Sequence, residues 1–459
     1  MIPLTLAEIA ALVDGTLTDA PDLHAKITAS LMFDSRLPNP GGLFLALTGE
    51  RDGHDYARSA VEQAGAVAVL ATRPVGVPAI VVHDVLMAAA ALTASLSAQL
   101  TGTKFIGVTG SSGKTSTKDL LAQILPAIGP TVATEQSFNN EFGLPVTVSR
   151  ATRDTRYLVL EMGARGIGHI RRLTGMAPLD TAVVLNVGSA HVGEFGSRQR
   201  IAEAKGELIE DLPASGWAVL NADDDLVAAM APRTRASVVL FGRAHNAQVR
   251  AEDVRLDDAG HARFTLVTPA GSAPVRLRLL GEHHVDNALA TAAAAMPYGM
   301  TPQATADALN QCVQVAAGRM EVTERPDGIT VVNDAYNANP ESTRAALDAL
   351  VAMTRTNGRN AVAVLGTMLE LGEHSQNAHS EVGAYAAKHG IRVIAVGSGP
   401  EARAIAAGAD TPHLVNDETE AHELLQTLIA SGDIVLFKSS RDANLRHLAS
   451  RYAAQGAPA

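Results

Sequence analysis

The chain has 459 residues, 47% of them hydrophobic, and a formal net charge of −11. One hydrophobic core serves at most about 250–300 residues, so we expect more than one domain. The acidic balance argues against a broad nucleic-acid-binding surface. The single cysteine, Cys312, excludes a disulfide framework and a cysteine zinc site.

No segment has the features of a signal or a membrane span. The N-terminal stretch MIPLTLAEIAALVDG has no basic run before its apolar residues, unlike a secretory signal. No apolar run approaches the ~20 residues that a membrane helix needs, and polar residues interrupt the Ala-rich stretch from Val85 to Leu100. We therefore expect a cytoplasmic, globular and monomeric protein with one helix in this stretch.

Three blocks follow along the chain. In the first, residues 1–100, the short apolar runs GLFLAL, AVAVLAT and AIVVH alternate with helix-like stretches. This alternation predicts a small α/β domain.

The second block, residues 101–316, opens with an apolar strand, a Gly/Ser loop and a helix. The runs TRYLVLEMG and DTAVVLNVG predict further strands, and the residues from Val249 to Gly281 alternate in the manner of antiparallel strands. A helix is predicted from Val285 to Ala295.

In the third block, residues 317–459, the apolar runs GITVVND, AVAVLGT, IRVIAVGSG and DIVLFKSS alternate with helical stretches. This βαβ repetition predicts a Rossmann-like, doubly wound parallel sheet. Ligands of such sheets bind beyond the carboxyl ends of the strands. The predicted fold is therefore α/β with three domains.

The loop between the first strand and helix of the second block is typical of a phosphate site. Its backbone N–H groups and the helix N-terminus attract phosphate oxygens. Lys114 would neutralise phosphate charge and the Thr115 hydroxyl would bind Mg²⁺. Val108 replaces the first glycine of the strict motif, and a loop that only caps a helix is the alternative. The candidate nucleotide-binding residues of this loop are Gly110, Ser111, Ser112, Gly113, Lys114, Thr115 and Ser116.

The next strand of the second block, YLVLEMG, ends in Glu161. An acidic side chain at the end of a neighbouring strand can bind a metal or orient water in an ATPase. A solvated strand end is the alternative, which the wholly apolar strand before Glu161 disfavours.

The ordered segments TGSSGKTS, LEMGA, NVGSAHVGEFGS, EAKGEL, GRMEV, NDAYNANP and GTMLELGEHS resemble the motifs of the Mur ligases. FDSR and GGLFLALTGERDGHDYA extend the resemblance into the first block, so it covers nearly the whole chain. It implies a first domain that binds a UDP-sugar, a central domain that binds ATP and a third domain that closes over both.

Three segments, SFNNEFGLPVTV, NDAYNANPESTRAAL and GTMLELGEHSQNAHSEVG, are most similar to one branch of the family. That branch uses ATP to join D-alanyl-D-alanine to UDP-N-acetylmuramoyl-tripeptide through an acyl phosphate, in peptidoglycan precursor synthesis. One rival is the sibling ligase that adds the third amino acid to the dipeptide precursor, although its D-N-P-R motif is absent. The other is a P-loop NTPase switch that forms no amide bond.

The resemblance also implies roles for individual residues. Two Mg²⁺ ions would be held by Thr115, Glu161, His191 and a carbamylated Lys205. Arg319 would reach the γ-phosphate from the third domain, across a hinge at residues 316–318. The implied nucleoside contacts are Asn287 and Asp334, and the implied substrate contacts are Ser35, Arg36, Thr48, Gly49, Glu50, Asn139, Asn140, Tyr336 and Asn337. Lys438, Ser439 and Arg441 are weaker candidates for the peptide, or simply a basic helix start.

The predicted helix SRQRIAEAKGELIEDL adds an argument from spacing, with Ser197 as its N-cap. Ile201, Ala204, Leu208, Ile209 and Leu212 share one face, Lys205 falls inside that apolar arc, and Glu203, Glu207 and Glu210 lie opposite. Such a lysine usually extends its amine to water. If it cannot, desolvation favours the neutral amine, which can take up CO₂ to give the carbamate that the resemblance implies.

Overall fold

The computed structural model describes residues 1–189, 192–354, 358–443 and 445–455. These residues form three α/β units, each with its own main sheet, as the sequence predicted for the fold class. Within the described ranges, no helix is both long and apolar enough to cross a membrane.

The first unit contains a five-stranded sheet and a small two-stranded ribbon. Strands β4, β5, β6 and β7 run parallel, β2 is antiparallel at one edge, and the long α3 coincides with the predicted Ala-rich helix. Its elements are β1 Leu4–Thr5, α1 Leu6–Leu12, β2 Thr16–Thr18, β3 Lys26–Ile27, β4 Leu31–Met32, β5 Leu43–Leu45, α2 Ala57–Glu62, β6 Ala68–Ala71, β7 Ala79–Val81 and α3 Val85–Gln99.

The central unit is built on a nine-stranded sheet. Its first part comprises β8 Lys104–Thr109, α4 Lys114–Ile124, β9 Thr131–Ala133, α5 Gly143–Ser149, β10 Tyr157–Glu161, α6 His169–Met176, β11 Thr181–Val184, α7 Val192–Phe195 and α8 Arg198–Glu210. Its second part comprises β12 Trp217–Asn221, α9 Asp225–Ala228, β13 Ser237–Gly242, β14 Val249–Leu256, β15 His261–Thr268, β16 Gly271–Leu280, α10 His284–Ala295 and α11 Pro302–Leu309.

The strand order of this sheet is β16-β15-β14-β13-β12-β11-β8-β10-β9. Strands β8 to β14 pair in parallel, while β15 and β16 extend the sheet as the predicted antiparallel strands. Because β8 lies between β10 and β11, the carboxyl ends of these three strands meet at one edge.

The third unit comprises β17 Glu321–Glu324, β18 Thr330–Asn333, α12 Pro340–Thr354, β19 Ala361–Leu365, α13 Ser375–Lys388, β20 Arg392–Val396, α14 Pro400–Gly408, β21 His413–Val415, α15 Glu418–Leu428, β22 Ile434–Lys438 and α16 Leu445–Ala453. Five strands run parallel in the order β18-β22-β19-β20-β21, and β17 adds an antiparallel edge. Four of the parallel strands are the predicted ones, whereas β21 was not predicted. Helices cover both faces, with separate apolar clusters on each.

The first and central units share one apolar core, which runs from Leu43 and Leu70 through Leu92 to Leu158 and Leu160. Helix α3 packs against α5 and α6. The third unit meets the central unit mainly across a polar cleft, which is lined by much of the phosphate loop and by several other residues singled out above.

Candidate functional site

The phosphate loop lies at the carboxyl end of β8, where the sheet order places it beside the ends of β10 and β11. Gly113 precedes α4 in the left-handed region, with φ +80°. A Cβ at this position would lie 2.5 Å from Asn287 Oδ1. A side chain is therefore excluded on both backbone and steric grounds.

Several long-range hydrogen bonds hold this loop in shape. Ser111 N donates to Asn186 O over 3.1 Å and Ser112 N donates to Asn186 Oδ1 over 2.9 Å. Lys114 Nζ donates to Gly110 O over 2.7 Å, and burial lowers the pKa of this amine. Sequence reasoning assigned no role to Asn186, although this residue is the first of the segment NVGSAHVGEFGS.

Two side chains whose oxygens could bind a metal ion, Thr115 and Glu161, lie next to the loop. Thr115 Oγ1 donates to Glu161 Oε2 over 2.9 Å, and Asn139 Nδ2 donates to Glu161 Oε1 over 2.8 Å. Glu161 is buried and therefore not the solvated strand end of the alternative interpretation. Asn140 instead accepts from Phe142 N and Gly143 N, where the chain enters α5.

The third unit supplies the opposite wall of the cleft. The neighbouring ends of β18 and β22 bring Asp334 Oδ2 within 2.7 Å of Lys438 Nζ, and Met320 N donates to Asp334 Oδ1. Arg319 lies over the Tyr336 ring, 4.6 Å from its centroid. Lys438 is buried and ends a strand, so it is not a basic helix start: α16 begins only at Leu445.

The cleft encloses about 200 Å³ and is lined by both units. Its lining residues include Ser111, Ser112, Gly113, Lys114, Thr115, Ser116, Asn287, Arg319, Asp334, Asn337 and Lys438. The charge of Arg319 lowers the pKa of both Lys114 and Lys438, in addition to the larger effect of burial. Three cationic side chains from two units therefore converge on one cleft, as a polyanionic ligand requires.

The first turn of α10 forms a further part of the lining. Asn287 lies between the phosphate loop and His284, whose Nδ1 is 3.4 Å from Asn287 Nδ2. Burial lowers the pKa of both His283 and His284, so neutral rings are favoured. Sequence reasoning missed these histidines, which lie just before the predicted helix, four and three residues before Asn287.

Lys205 lies on α8, which Ser197 caps by accepting from Arg200 N. Lys205 is buried, with 4% of the residue exposed. Burial, with a smaller contribution from the charge of Lys114, lowers its pKa well below the usual range. In the part of the chain that the structure describes, Lys205 has no ion-pair partner.

The predicted outward orientation of Glu207 is wrong. Glu207 is buried, and its carboxylate accepts from Gly168 N and Arg171 N at the start of α6. These donors at a helix N-terminus stabilise the buried charge, which a periodicity argument cannot detect.

Other predicted residues lie away from the cleft or outside the described ranges. His191 lies outside them. Arg36 is exposed and pairs with Asp34, Ser35 is on the same loop, and Thr48, Gly49 and Glu50 are exposed beyond the carboxyl end of β5. Ser439 is fully buried, and Arg441 lies 5.9 Å from the Tyr336 ring centroid.

No group of three or more His, Cys, Asp or Glu side chains converges as a metal site among the described residues. Thr115 and Glu161 nevertheless present hard oxygen donors, the type that Mg²⁺ prefers, and Mg²⁺ commonly takes its other ligands from water and substrate phosphates.

Comparison with known proteins agrees with this geometry. The Mur ligase middle domain matches residues 108–295, and the glutamate ligase domain of Mur ligases matches residues 318–441. The UDP-N-acetylmuramoyl-tripeptide--D-alanyl-D-alanine ligase of Mycobacterium tuberculosis is 46% identical, over 97% of this chain and 96% of the relative.

Two solved structures are also similar over almost their full lengths. MurF from Acinetobacter baumannii has a TM-score of 0.87 and 31% identity, over 99% of each chain. MurF from Thermotoga maritima, solved with ADP, has a TM-score of 0.80 and 30% identity, over 93% of this chain and 97% of the other. The chain belongs to the Mur ligase family.

Proposed function

We propose that this enzyme is an ATP-dependent ligase that joins D-alanyl-D-alanine to UDP-N-acetylmuramoyl-tripeptide through an acyl-phosphate intermediate, in peptidoglycan precursor synthesis. The observation that carries this function is the full-length similarity to ligases of that specificity. The two-sided cationic cleft supports it, because ATP-driven ligation needs a polyphosphate site.

In this proposal the phosphate loop, residues 110–116, binds the phosphates through its backbone N–H groups. Lys114 and Arg319 stabilise negative charge from opposite walls of the cleft. Asn287 contacts the adenine and Asp334 the ribose. Each lies at the cleft surface, and Asp334 is held in place by Lys438.

The residues at the back of the loop fit Mg²⁺. Thr115 and Glu161 would hold one ion, while His191 and a carbamylated Lys205 would serve a second. Bound Mg²⁺ would neutralise charge that develops on the phosphates. An unmodified amine is not a ligand for a hard cation, whereas a carbamate offers two oxygens. Lys205 is buried and has no ion-pair partner among the described residues, which favours the neutral amine from which a carbamate forms.

The proposed domains are residues 1–100 for the UDP-sugar, 101–316 for ATP and 317–459 for closure. Ser35, Arg36 and Thr48 would hold the UDP end, since Arg36 offers paired donors to a diphosphate. Asn139, Asn140, Tyr336 and Asn337 would line the path to the acceptor amine. Closure of the third unit would exclude water from the reactive acyl group. The monomeric state and the cytoplasmic location stay predictions.

One assay tests this function against both rivals. Phosphate release should require UDP-N-acetylmuramoyl-tripeptide and D-alanyl-D-alanine together, and the pentapeptide product should appear by mass spectrometry in equal amount. A response to the dipeptide precursor and a single amino acid would favour the sibling ligase. Hydrolysis that ignores both substrates would favour an NTPase switch.

The proposed carbamate has its own test. Lys205→Ala should remove most activity, and a small carboxylic acid added to the buffer should restore part of it. Lys205→Arg should not restore activity, because it keeps a positive charge where an anion is needed. Full activity of Lys205→Arg, or an unmodified lysine in the intact mass and electron density of the active enzyme, would contradict the carbamate.

A further inference from the structure

The loop after β11 is joined to the phosphate loop by four hydrogen bonds, one of which is the bond from Ser111 N to Asn186 O described above. Asn186 exchanges two hydrogen bonds with Ser112, through Oδ1 over 2.9 Å and through Nδ2 over 3.2 Å. Gly188 N donates to Ser111 Oγ over 2.9 Å. A displacement of residues 186–188 would therefore also displace the backbone that forms the proposed phosphate site.

The next residue of the same loop is bonded to the third unit. Ser189 N donates to Glu341 Oε1 over 2.9 Å, and Ser189 Oγ donates to Glu341 Oε2 over 3.0 Å. Glu341 belongs to the first turn of α12. A Cβ added at Gly188 would lie 3.2 Å from Glu341 Cδ and 3.3 Å from Ser111 Cβ, so the carboxylate packs directly against the loop backbone.

Glu341 is one of the acidic residues that line the cleft, and its charge would repel a polyanionic ligand. Both oxygens of Glu341 are occupied by donors of the central unit, and the helix N-terminus further stabilises its charge. In an open arrangement of the two units the same carboxylate would lose these donors. The pair therefore favours the closed arrangement.

We propose that Glu341 is a positioning residue that couples closure of the third unit to the shape of the phosphate loop. It acts through Ser189, Gly188 and Asn186, and it does not touch the reacting atoms. This inference rests on the proposed function, and it adds a residue that holds the two walls of the ATP site in register.

The test compares variants of Glu341 with a matched control. Glu418 is also an acidic residue in the first turn of a helix of the third unit, α15. Among the described residues, no hydrogen bond or ion pair joins its side chain to the central unit. Glu341→Ala should lower kcat for ligation by about tenfold, the effect expected for a pair of exposed hydrogen bonds. Glu418→Ala should leave kcat unchanged, and both variants should keep the wild-type Tm within about 2 °C.

Two further variants separate a coupling role from a simple loss of charge. Glu341→Gln should recover at least half of kcat, since its amide oxygen accepts from Ser189 N while its NH₂ group donates to Ser189 Oγ. Ser189→Ala should have a smaller effect, and the double variant should be no worse than Glu341→Ala alone. Additive losses, or equal activity of Glu341→Ala and Glu418→Ala, would overturn the proposal.

Small-angle X-ray scattering reads closure without ligation. The wild-type radius of gyration should fall on addition of Mg²⁺ and ADP, and that of Glu341→Ala should fall less. Equal contraction of the two proteins would overturn the proposal even if ligation is normal. A wild-type enzyme that contracts but does not ligate would instead count against the proposed function and leave the coupling intact.

Discussion

The central unit meets its two neighbours in opposite ways. Towards the first unit it continues one apolar core, in which α3 packs on α5 and α6 and Ser97 Oγ donates to Met176 O over 2.9 Å. Towards the third unit it presents mainly polar groups, apart from Leu280, which packs in an apolar cluster of the third unit. Hydrogen bonds such as those from Ser189 to Glu341 and from Gly193 N to Glu370 O join the two units.

This difference implies that the interface with the first unit mainly stabilises the fold, whereas the interface with the third unit mainly serves catalysis. A continuous apolar interface is costly to open, because separation would expose apolar area at roughly 25 cal/mol per Å². Polar pairs across a cleft exchange readily with water and contribute little net free energy each. The first and central units should therefore move as one body, and the third should open and close.

The largest expected effect is on the cleft side. Lys114→Ala should reduce kcat for ligation by about 10²–10³-fold, because a group aimed at transition-state charge is lost. It should change Tm little, since this partly buried amine only donates to Gly110 O. Initial rates and thermal unfolding check both. Lys104→Ala is the control, because its amine pairs with Asp180 at the opposite end of β8.

A folded Lys114→Ala variant with near-normal activity would remove the ATP assignment from the loop. A large fall in its Tm would instead contradict the view that residues of the cleft contribute little to stability.

The next effect lies on the apolar side. Leu92 is fully buried in α3, within the shared core, and Leu92→Ala should destabilise the protein by about 2–5 kcal/mol. Trp217, the only tryptophan of the chain, lies on β12 of the central unit. Its fluorescence should therefore report earlier unfolding, although the substitution is in the first unit.

The control for Leu92→Ala is Leu347→Ala, an equally buried leucine in the third unit. It should lower the stability seen by far-UV circular dichroism and leave the Trp217 transition in place. Equal shifts of the Trp217 transition in both variants would mean that the first and third units are coupled equally strongly to the unfolding of the central unit.

A smaller effect is expected at the closing wall. If Arg319 acts on the phosphates only in the closed arrangement, Arg319→Ala should lower kcat by about 10–100-fold and weaken ATP binding much less. Kinetics and calorimetric ATP titration separate these quantities. Arg344→Ala is the control, since it removes an ion pair with Glu381 within the same unit. Loss of ATP binding with unchanged kcat would contradict the closing role.

The sequence allowed the parallel sheets to be predicted because their strands are continuous apolar runs. The phosphate loop was equally accessible, since glycines and a Lys-Thr pair between strand and helix have few other uses. Glu207 and Asn186 could not be placed correctly, because their roles depend on N–H groups that come from distant segments. Strand β17 also escaped prediction, since its alternating, half-exposed residues VTE follow a predicted domain boundary.

The smallest expected effect is a pH-dependent change in Tm, which tests whether the first and central units unfold together. In the first unit, Asp52 accepts from Arg73 Nη2 over 2.8 Å, from His54 N over 3.0 Å and from His54 Nδ1 over 2.5 Å. These partners, Arg73 first, hold the pKa of Asp52 far below its ordinary value. An acid with a depressed pKa contributes stability above its unfolded pKa, about 3.9, and loses it as the pH falls through the folded pKa.

Asp52→Asn should therefore lower Tm by about 2 °C at pH 7, and the difference from wild type should shrink as the pH falls below about 4. Because the first and central units share a core, Trp217 fluorescence should detect this change although Asp52 lies in the other unit. Asp55 lies in the short 3-10 helix Gly53–Tyr56, which Asp52 caps. The control Asp55→Asn removes an exposed carboxylate from this helix and should leave Tm unchanged. A Tm difference that does not vary with pH would show that shape at position 52, and not its charge, stabilises the loop. A normal pH response that Trp217 does not report would show that the two units unfold separately.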